Sequence, residues 1–343
     1  CNEYGLKAPT LESGIKCEHK YWSRRVQQQV IPEHIPEFMA VDPFDPVDYG
    51  SIELRKPFWL KPVKSFASQL GFRIGSEKEY EQALEEVRKE VHFFADPFNY
   101  LLSKINMPEE IGKVDGYHCV AEELLRGDQC TLSGYVLDHS VTTYDVVDSV
   151  NYEDTSSFFY YLLPSNLPSK VQERMKVIAE KVMKQTGFNN SPFNIEFFYD
   201  RENDSIGLLE INPRMSQSHA DLYAKVRGSS NHEILVKIVT GQEPNFEEKQ
   251  GQFRVAGKFQ YRVFMEDGLV SRIPEESDFK KIREEFPEAV IDLEAMENKR
   301  LSDHPLQDPY SHRLASIYLG AGSEKELLEK YHRIVEMMNI QID

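Results

Sequence analysis

The sequence predicts an α+β protein, because hairpin patterns and amphipathic helix patterns both occur along its 343 residues. The clearest hairpin pattern consists of two apolar runs, residues 193–199 and 206–211, on either side of the polar turn DRENDS. Ser-x-x-Glu capping boxes begin amphipathic segments at Ser76 and at Ser323. The chain is long enough to fold as two or three packed subdomains.

The other elements are predicted from the same two periodicities and from turn residues. We predict helices at residues 17–30, 76–91, 169–187 and 231–241 and at the C-terminal end. We predict strands at residues 57–63, 117–125, 131–137, 140–147, 259–264, 269–272, 290–293 and 314–319. The third helix is expected to begin with a capping box formed by Ser169 and Gln172. Residues 152–169 are interpreted as a loop over the substrate.

The charge of the chain limits its partners. A net charge of -17 at pH 7 does not fit the basic stripe of a nucleic-acid surface, so we expect no nucleic-acid partner. Lysine and arginine side chains can still be concentrated in one cleft, so the net charge does not exclude a nucleotide as a ligand. No apolar run approaches the roughly 18 residues that a membrane helix needs, which predicts no membrane partner.

The cysteines and the first residue bear on the origin of the chain. Cys1, Cys17, Cys119 and Cys130 have neither CxxC spacing nor a histidine at metal-ligand spacing. Isolated thiols fit a reducing cytosol, so we predict a cytoplasmic location. The chain begins with Cys instead of Met and shows no signal peptide, from which we expect a fragment or a processed chain.

The predicted hairpin brings two acidic residues into register. If the pairing is symmetric about Asn203, Glu196 lies directly opposite Glu210, and Asn212 points to the same face. Opposed carboxylates repel by roughly 0.2–1 kcal/mol, so a cation such as Mg²⁺, with the Asn oxygen as a third ligand, is expected between them. Arg214 follows at once and offers a guanidinium to a phosphoryl group. The alternative interpretation is a solvated hairpin face without a ligand.

The run Glu-Ile-Asn-Pro-Arg at residues 210–214 resembles the signature of the ATP-grasp enzymes, in which an acid on one strand precedes Glu-x-Asn-x-Arg on the next. The segments HKYWSRRVQQQVIPEHIPEF, PFWLKPV and YHCVAEELLRG resemble the phosphate-binding helix, the Lys-Pro strand and the hinge of that family. These matches occur in the family's order over about residues 10–245. The chain is therefore similar to ATP-grasp enzymes, and most of all to carboxylate-amine ligases of amino acids and dipeptides.

The resemblance implies a role for each matched residue. Glu196, Glu210 and Asn212 would bind Mg²⁺ or Mn²⁺, and Arg214 would be the catalytic residue that contacts the reacting phosphate. The residues that would bind ATP are Lys20, Lys61, Ser65, Ser68, Glu122, Leu125 and Gln129. The substrate is expected just beyond the arginine, at Ser216, Ser218 and His219.

Two features depart from the family pattern. Gln129 stands where the family usually has a Glu that binds the ribose, so the position keeps an acceptor oxygen but loses its charge. The loop after Lys61 contains only Gly71, whereas many members are rich in glycine there. Both features bear on whether the protein catalyses turnover of ATP.

The resemblance also implies the ATP-grasp fold, in which two α+β subdomains clasp ATP, with a small C-terminal α+β unit. We expect an N-terminal linker and helix at 1–50, the small subdomain at 51–120 and the large subdomain with the metal hairpin at 121–245. The C-terminal unit would occupy 246–343. We expect the open-sheet domain that usually precedes this fold to be missing.

The implied chemistry is phosphorylation of a carboxylate by ATP, followed by attack of an amine on the acyl phosphate. The partners would be small-molecule acids and amines, and a homodimer is an expected assembly. A second interpretation is a bicarbonate-activating enzyme of the biotin carboxylase or carbamoyl phosphate synthetase kind, although biotin carboxylases carry a Glu where this chain has Ser218. A third is an ATP-binding domain without turnover, which the Gly-poor loop and Gln129 favour.

Overall fold

The computed structural model describes residues 2–66, 69–244, 250–304 and 311–343. Its strands are β1 Phe38–Val41, β2 Phe58–Pro62, β3 Phe72–Ile74, β4 Cys119–Glu123, β5 Asp128–Leu137, β6 Ser140–Asn151, β7 Phe158–Leu163, β8 Ser191–Asp200, β9 Ser205–Asn212, β10 Val255–Val263, β11 Val270–Arg272, β12 Val290–Leu293, β13 His312–Ala321 and β14 Gln341–Ile342. Its α-helices are α1 Leu11–Glu18, α2 Lys20–Val30, α3 Glu77–Glu90, α4 His92–Leu102, α5 Glu109–Gly112, α6 Ser169–Thr186, α7 Ala220–Arg227, α8 Asn231–Val239, α9 Glu276–Glu285 and α10 Glu324–Met338.

The smaller sheet has the strand order β1-β4-β2-β3, with antiparallel neighbours. Phe58 and Leu60 of β2 are fully buried in the core that α3 covers. Trp59 and Lys61 alternate with them along the strand, so they point to the opposite face. Glu122 of β4 is paired with Trp59 and shares that face. The alternation of β2 and β4 therefore carries Lys61 and Glu122 to the side that faces away from the core.

The larger sheet has eight antiparallel strands in the order β12-β13-β10-β7-β6-β5-β8-β9. The apolar stripes of α6 and α10 cover one face, where Ile195 and Phe259 are fully buried. The opposite face, which we call the front face, carries α7 and its residues Leu222 and Tyr223. Glu196 alternates with Ile195, so it lies on the front face.

The predicted C-terminal unit continues this sheet. Strands β10, β12 and β13 extend the sheet beyond β7, while β11 and β14 form a separate two-stranded sheet. The larger sheet thus runs across the expected boundary at residue 245. Physically, β10 has partners on both sides, β7 and β13, and these pairings bury Phe259 and Leu319.

Two local predictions are wrong. Residues 152–169 are not a loop throughout, because β7 occupies Phe158–Leu163 between β6 and β10. The apolar run FFYYLL fills both faces of that strand, which is the pattern of a buried central strand. The capping box of α6 is also absent: its N-cap is Pro168 without a side-chain hydrogen bond, and Gln172 Nε2 donates to the Leu167 carbonyl at 2.8 Å instead.

The other two predicted capping boxes are half formed. Ser76 and Ser323 each accept a hydrogen bond from the backbone N–H three residues later, at the start of α3 and α10. Glu79 and Glu326 accept instead from the backbone N–H of Gly75 and Gly322, one residue before each N-cap. Cys17, Cys119 and Cys130 are buried free thiols. Within the described ranges, no helix is long and apolar enough to cross a membrane.

Candidate active site

The acidic hairpin has the predicted register, with Glu196 of β8 opposite Glu210 of β9. The register depends on a β-bulge. Asp200 pairs with Ser205, and the pairing shifts by one residue at Leu209 before it reaches Glu210. The extra residue places Glu210 directly opposite Glu196. It also turns Glu210 to the same face as Glu196, because residues 209 and 210 are both less buried than their neighbours 208 and 211, which face the core.

Glu196 is held by two amide donors. Gln129 Nε2 of β5 donates to Glu196 Oε2 at 3.0 Å, and Asn212 Nδ2 donates to Glu196 Oε1 at 3.2 Å. Burial and the Glu210 carboxylate nevertheless raise the pKa of Glu196. Burial and a second acid both disfavour the negative charge of this carboxylate, and a bound divalent cation would stabilise that charge.

Glu210 has a cation within reach. Lys20 Nζ, at the first residue of α2, lies 3.1 Å from Glu210 Oε1. Burial opposes ionisation of this carboxyl, but the charges of Lys20 and Lys61 outweigh it and lower the pKa of Glu210. The two opposed acids therefore differ: Glu210 is compensated by lysines, whereas Glu196 is not.

Glu122, the acid of the predicted hinge, forms the second ionic centre. Its carboxylate accepts from Arg24 Nε at 2.7 Å and lies 2.8 Å from Lys61 Nζ. All three side chains are buried. Burial raises the pKa of a carboxyl, but here the charges and hydrogen bonds of Arg24 and Lys61 prevail and lower the pKa of Glu122 to about 2.

Arg24 was not among the residues singled out from the sequence. Its Nη1 donates to the Leu208 carbonyl at 2.9 Å and its Nη2 to the Leu209 carbonyl at 2.7 Å, which are the two carbonyls at the bulge. Nη1 also donates to Gln27 Oε1 at 2.6 Å. One side chain thus ties β4 of the smaller sheet to the bulge that places Glu210. A signal was present, since Arg24 is one helical turn after Lys20 on the same face.

The start of the expected phosphate loop is fixed by Lys20. Besides Glu210, its Nζ donates to the Ser65 carbonyl at 3.1 Å, and its backbone N–H donates to the Val63 carbonyl at 2.9 Å. Ser65 is buried. Ser68 lies outside the described residues.

The ionic centre is closely packed. Lys20, Lys61, Glu122 and Glu210 line a cavity of about 10 Å³, which is about the space of one water molecule. The hinge residue Leu125 borders a larger cavity of about 570 Å³. Leu125 packs against Gly207 of β9, where an added Cβ would come within 2.6 Å of its Cδ2.

Arg214 and the residues after it form the end of the site nearest the C-terminal strands. Arg214 is exposed, and its Nη2 donates to Asn212 Oδ1 at 3.4 Å. Ser216 accepts a hydrogen bond from Asn231 at its carbonyl, and Ser218 Oγ accepts one from Lys258 Nζ at 3.2 Å. The predicted substrate segment is therefore next to β10.

His219 is buried and stacks edge-on against Tyr161, with 5.1 Å between ring centroids. Burial, aided by the nearby charge of Lys258, lowers the pKa of His219 to about 3. Within the part of the chain that the structure describes, its Nδ1 is buried without a hydrogen-bond partner. The ring is thus neutral at physiological pH.

The predicted metal residues fit Mg²⁺ in their chemistry. Glu196, Glu210 and Asn212 offer oxygen ligands on one face, and burial and Glu210 raise the pKa of Glu196 although the charge of Arg214 opposes the shift. Within the described part of the chain, no group of three or more His, Cys, Asp or Glu is placed to hold a metal ion. The predicted set consists of two carboxylates and one amide, so an ion bound there would take its remaining ligands from phosphates and water.

The structure joins most of the predicted residues into one connected set. The contacts run from Gln129 through Glu196 and Asn212 to Arg214, and from Ser65 through Lys20 to Glu210. Lys61 and Glu122 border the same small cavity as Lys20 and Glu210. Leu125 lies at the other cavity, and Ser216, Ser218 and His219 lie toward β10.

Comparisons with known proteins point to one family. The family model for the ATP-grasp domain matches residues 54–220. An L-amino acid ligase from Bacillus licheniformis has a similar structure, with a TM-score of 0.72 at 15% identity over 100% of this chain and 76% of that chain. No curated protein matches the chain in sequence.

Two other solved structures are similar at comparable levels. A phosphoribosylglycinamide synthetase from Anaerococcus prevotii has a TM-score of 0.61 at 14% identity, over 100% of this chain and 78% of that chain. A biotin carboxylase from Campylobacter jejuni, in a β,γ-ATP complex, has a TM-score of 0.64 at 15% identity, over 100% of this chain and 71% of that chain. At these identities the likeness shows the fold.

Proposed function

We propose that this chain, which has the ATP-grasp fold and contains an ATP-grasp domain, is an ATP-dependent carboxylate-amine ligase. It would join a small-molecule carboxylate to an amine in an amide or peptide bond through an acyl phosphate. The observation that carries the proposal is the placement of Glu196 opposite Glu210 on one face, with Lys20 against the second acid and Asn212 against the first.

Nucleotide binding would exchange the partners of the buried ions. In the closely packed centre, Lys20 pairs with Glu210 and Lys61 pairs with Glu122. Phosphate oxygens are stronger acceptors for these ammonium groups than a carboxylate that a metal ion has taken over. Each lysine would therefore turn to a phosphate while Glu210 turns to the metal.

Glu196, Glu210 and Asn212 would hold Mg²⁺ or Mn²⁺. When bound, the ion would neutralise charge on the transferring phosphoryl group. Arg214 is exposed at the end of β9, where its guanidinium can donate two hydrogen bonds to the same group. Such transfer depends on positioning and charge neutralisation, so these side chains suffice without a side-chain nucleophile.

The reaction would proceed in two steps. An oxygen of the substrate carboxylate attacks the γ-phosphorus of ATP, the bond to the β-phosphate bridging oxygen breaks, and ADP leaves. The amine then attacks the acyl carbon, phosphate leaves with the electrons of the C–O bond, and the amine loses a proton. The hinge around Leu125 would hold the base, Ser65 and Ser68 would approach the phosphates, and Glu122 and Gln129 would border the nucleoside.

A bicarbonate-activating enzyme is the second candidate, favoured by the structural likeness to a biotin carboxylase. Ser218 stands where biotin carboxylases carry a Glu, and it accepts a hydrogen bond from Lys258. A neutral hydroxyl there lacks the basic oxygen of a carboxylate. A third candidate is an ATP-binding domain without turnover, because Gln129 is engaged with Glu196 and the phosphate loop is poor in glycine.

An ADP-release screen separates the three candidates. The full chain is incubated with Mg-ATP and pools of amino acids and dicarboxylates, with hydroxylamine present to trap an acyl phosphate as a hydroxamate. Hydroxamate formation together with ADP release is expected for the ligase. ADP release that depends on bicarbonate alone would establish the second candidate, and nucleotide binding without ADP release in any pool would establish the third.

The assembly and the location follow as lesser proposals. The buried free thiols and the use of ATP favour a cytoplasmic enzyme. A homodimer is the proposed assembly, and light scattering on the purified chain measures its mass.

A further inference from the structure

The front face of the large sheet continues from the acidic hairpin to the C-terminal strands. One row of paired residues crosses it: Gln129 on β5 pairs with Ser149 on β6, which pairs with Tyr161 on β7, which pairs with Lys258 on β10. Gln129 donates to Glu196 at the metal end of the row. Lys258 therefore lies on the same face as the metal residues, at the other end of this row.

Lys258 differs from the other buried lysines of the molecule. Lys20 has Glu210 at 3.1 Å and Lys61 has Glu122 at 2.8 Å. Lys225, whose side chain is 9% exposed, has Asp221 at 2.6 Å. Lys258 is 8% exposed, and among the residues that the structure describes no carboxylate oxygen lies within 4.0 Å of its Nζ. A buried ammonium without an anion is costly, which calls for a ligand.

The neighbours of Lys258 leave hydrogen-bonding capacity for that ligand. Its Nζ has three N–H donors, of which one goes to Ser218 Oγ at 3.2 Å. It also lies 5.4 Å from the ring centroid of Tyr318. Beside it, the Nδ1 atom of His219 is buried without a hydrogen-bond partner among the described residues. Ser218 is half-buried and Gln217 is exposed, so the group opens to solvent along the segment that follows Arg214.

Lys258 has charged neighbours of both signs. Burial, with the charge of Arg313 and a smaller contribution from Arg262, lowers the pKa of Lys258 to about 8. Glu294 and Asp292 oppose this shift, but Arg313 Nε already lies 2.7 Å from a Glu294 oxygen. Because Glu294 and Arg313 are engaged with each other, an anionic ligand would be the contact partner of the Lys258 ammonium.

We propose that Lys258 and Ser218 form a subsite for a second, non-reacting carboxylate of a substrate. The proposal rests on the proposed ligase function and specifies its substrates: the acid or the amine carries a carboxylate remote from the bond that forms. Three strand intervals of about 4.8 Å separate the Cα atoms of Lys258 and Gln129, which is about 14 Å. That span accommodates the length of a small bifunctional molecule between the lysine and the metal.

Two kinds of substrate present such a carboxylate. A dicarboxylic acid would place its unreactive end at Lys258, and an amino acid that serves as the amine would place its α-carboxylate there. The affinities for glutarate and glutaramate are compared to test the dicarboxylic acid. The affinities for L-alanine and L-alaninamide are compared to test the amino acid. Each pair has nearly the same shape and differs by one carboxylate that becomes an amide.

Binding of the four probes is measured by isothermal titration calorimetry, with and without Mg²⁺ and a non-hydrolysable ATP analogue, so that no turnover is needed. The variants are Lys258→Met, which removes the charge at similar length, and Lys258→Arg, which keeps it. Lys225→Met is the matched control, because that lysine has its own carboxylate partner on α7. Thermal unfolding and binding of the ATP analogue report on the fold of each variant.

The wild-type protein is expected to prefer the carboxylate over the amide in one probe pair by about tenfold or more. Lys258→Met should abolish this preference, Lys258→Arg should retain part of it, and Lys225→Met should leave it unchanged. A wild-type protein without a preference in either pair, or a preference that survives in Lys258→Met, overturns the subsite. Failure to bind the ATP analogue instead overturns the proposed function, and the probes measured without nucleotide still decide on the subsite.

Discussion

At the scale of single residues, Arg24 is a buried cation whose removal would leave a buried acid without its partner. It is 2% exposed, and its guanidinium is paired with Glu122 and with the carbonyls of Leu208 and Leu209. A buried ion pair gains little over well-packed apolar residues, but removal of one partner leaves the other charge uncompensated. The loss would also free the bulge next to Glu210.

Replacement of Arg24 by Met should therefore lower the free energy of unfolding by about 3–5 kcal/mol. The neighbouring Arg25 is the control, because its pair with Glu110 at 3.1 Å is solvent-exposed and worth about 0–1 kcal/mol. Urea unfolding followed by circular dichroism measures both. Equal losses in Arg24→Met and Arg25→Met would show that the buried network contributes nothing particular.

The residues that the sequence identified and those it missed differ in the sequence distance of their partners. Glu196, Glu210 and Asn212 were found because a hairpin relates residues that are close in the chain. Arg24 was missed because Glu122 is 98 residues away and the Leu208 carbonyl 184 residues away. Lys258 was missed for the same reason, since its row on the sheet is set by pairings with β7 and β13.

At the scale of elements, the predicted register of the hairpin is correct although the prediction assumed a symmetric turn and no β-bulge. Symmetry about Asn203 places Glu196 opposite Glu210, but the turn pairs Asp200 with Ser205, and the bulge at Leu209 supplies the missing residue. A bulge is specified by tertiary contacts, here the bonds of Arg24 to its carbonyls. No local pattern in the sequence reveals it.

The helix caps allow a direct test at this scale. Ser323 accepts from the Glu326 N–H at the start of α10, whereas Ser169 is exposed in α6 and makes no cap bond. Ser323→Ala should therefore cost about 1 kcal/mol of stability, and Ser169→Ala should stay within about 0.5 kcal/mol of the wild type. Thermal or urea unfolding of the two variants measures the difference. A loss of about 1 kcal/mol in Ser169→Ala would instead support the N-cap that the sequence predicted at Ser169.

At the scale of the whole molecule, the ion pairs link the two sheets. Arg24 joins β4 of the smaller sheet to β9 of the larger, and Lys20 joins the segment at Ser65 to Glu210. The fold class and the order of the two sheets were predictable from periodicity and from the family resemblance. The extension of the large sheet by β10, β12 and β13 was not, because antiparallel pairing between distant strands leaves no local signature.

A buried histidine should make the stability of the fold depend on pH. His19 is fully buried between α1 and α2, and burial lowers its pKa from 6.5 to about 4 although its ring bonds the Val114 carbonyl. Below pH 6.5 the unfolded chain takes up a proton that the folded chain does not, so stability falls as the pH decreases toward 4. His19 alone should account for a loss of roughly 2 kcal/mol by about pH 5. Buried His219, whose pKa is lowered to about 3, should add a similar loss.

Urea unfolding between neutral pH and about pH 5 measures this decrease. His19→Asn keeps a residue that caps α2 but cannot titrate, so its stability should fall less over that interval. The exposed His232 provides the control, and His232→Asn should show the wild-type decrease. The explanation fails if His19→Asn loses as much stability as the wild type.

The central claim is that Glu196 and Glu210 hold the divalent ion that accompanies the nucleotide. Titration of Mn²⁺ followed by electron paramagnetic resonance, in the presence of a non-hydrolysable ATP analogue, tests it directly. Glu196→Gln and Glu210→Gln should each weaken Mn²⁺ binding by about tenfold or more, because each replaces an anionic ligand by a neutral one. Glu202→Gln, in the exposed turn of the same hairpin, should bind as the wild type does. Wild-type affinity in both Glu196→Gln and Glu210→Gln would contradict the account.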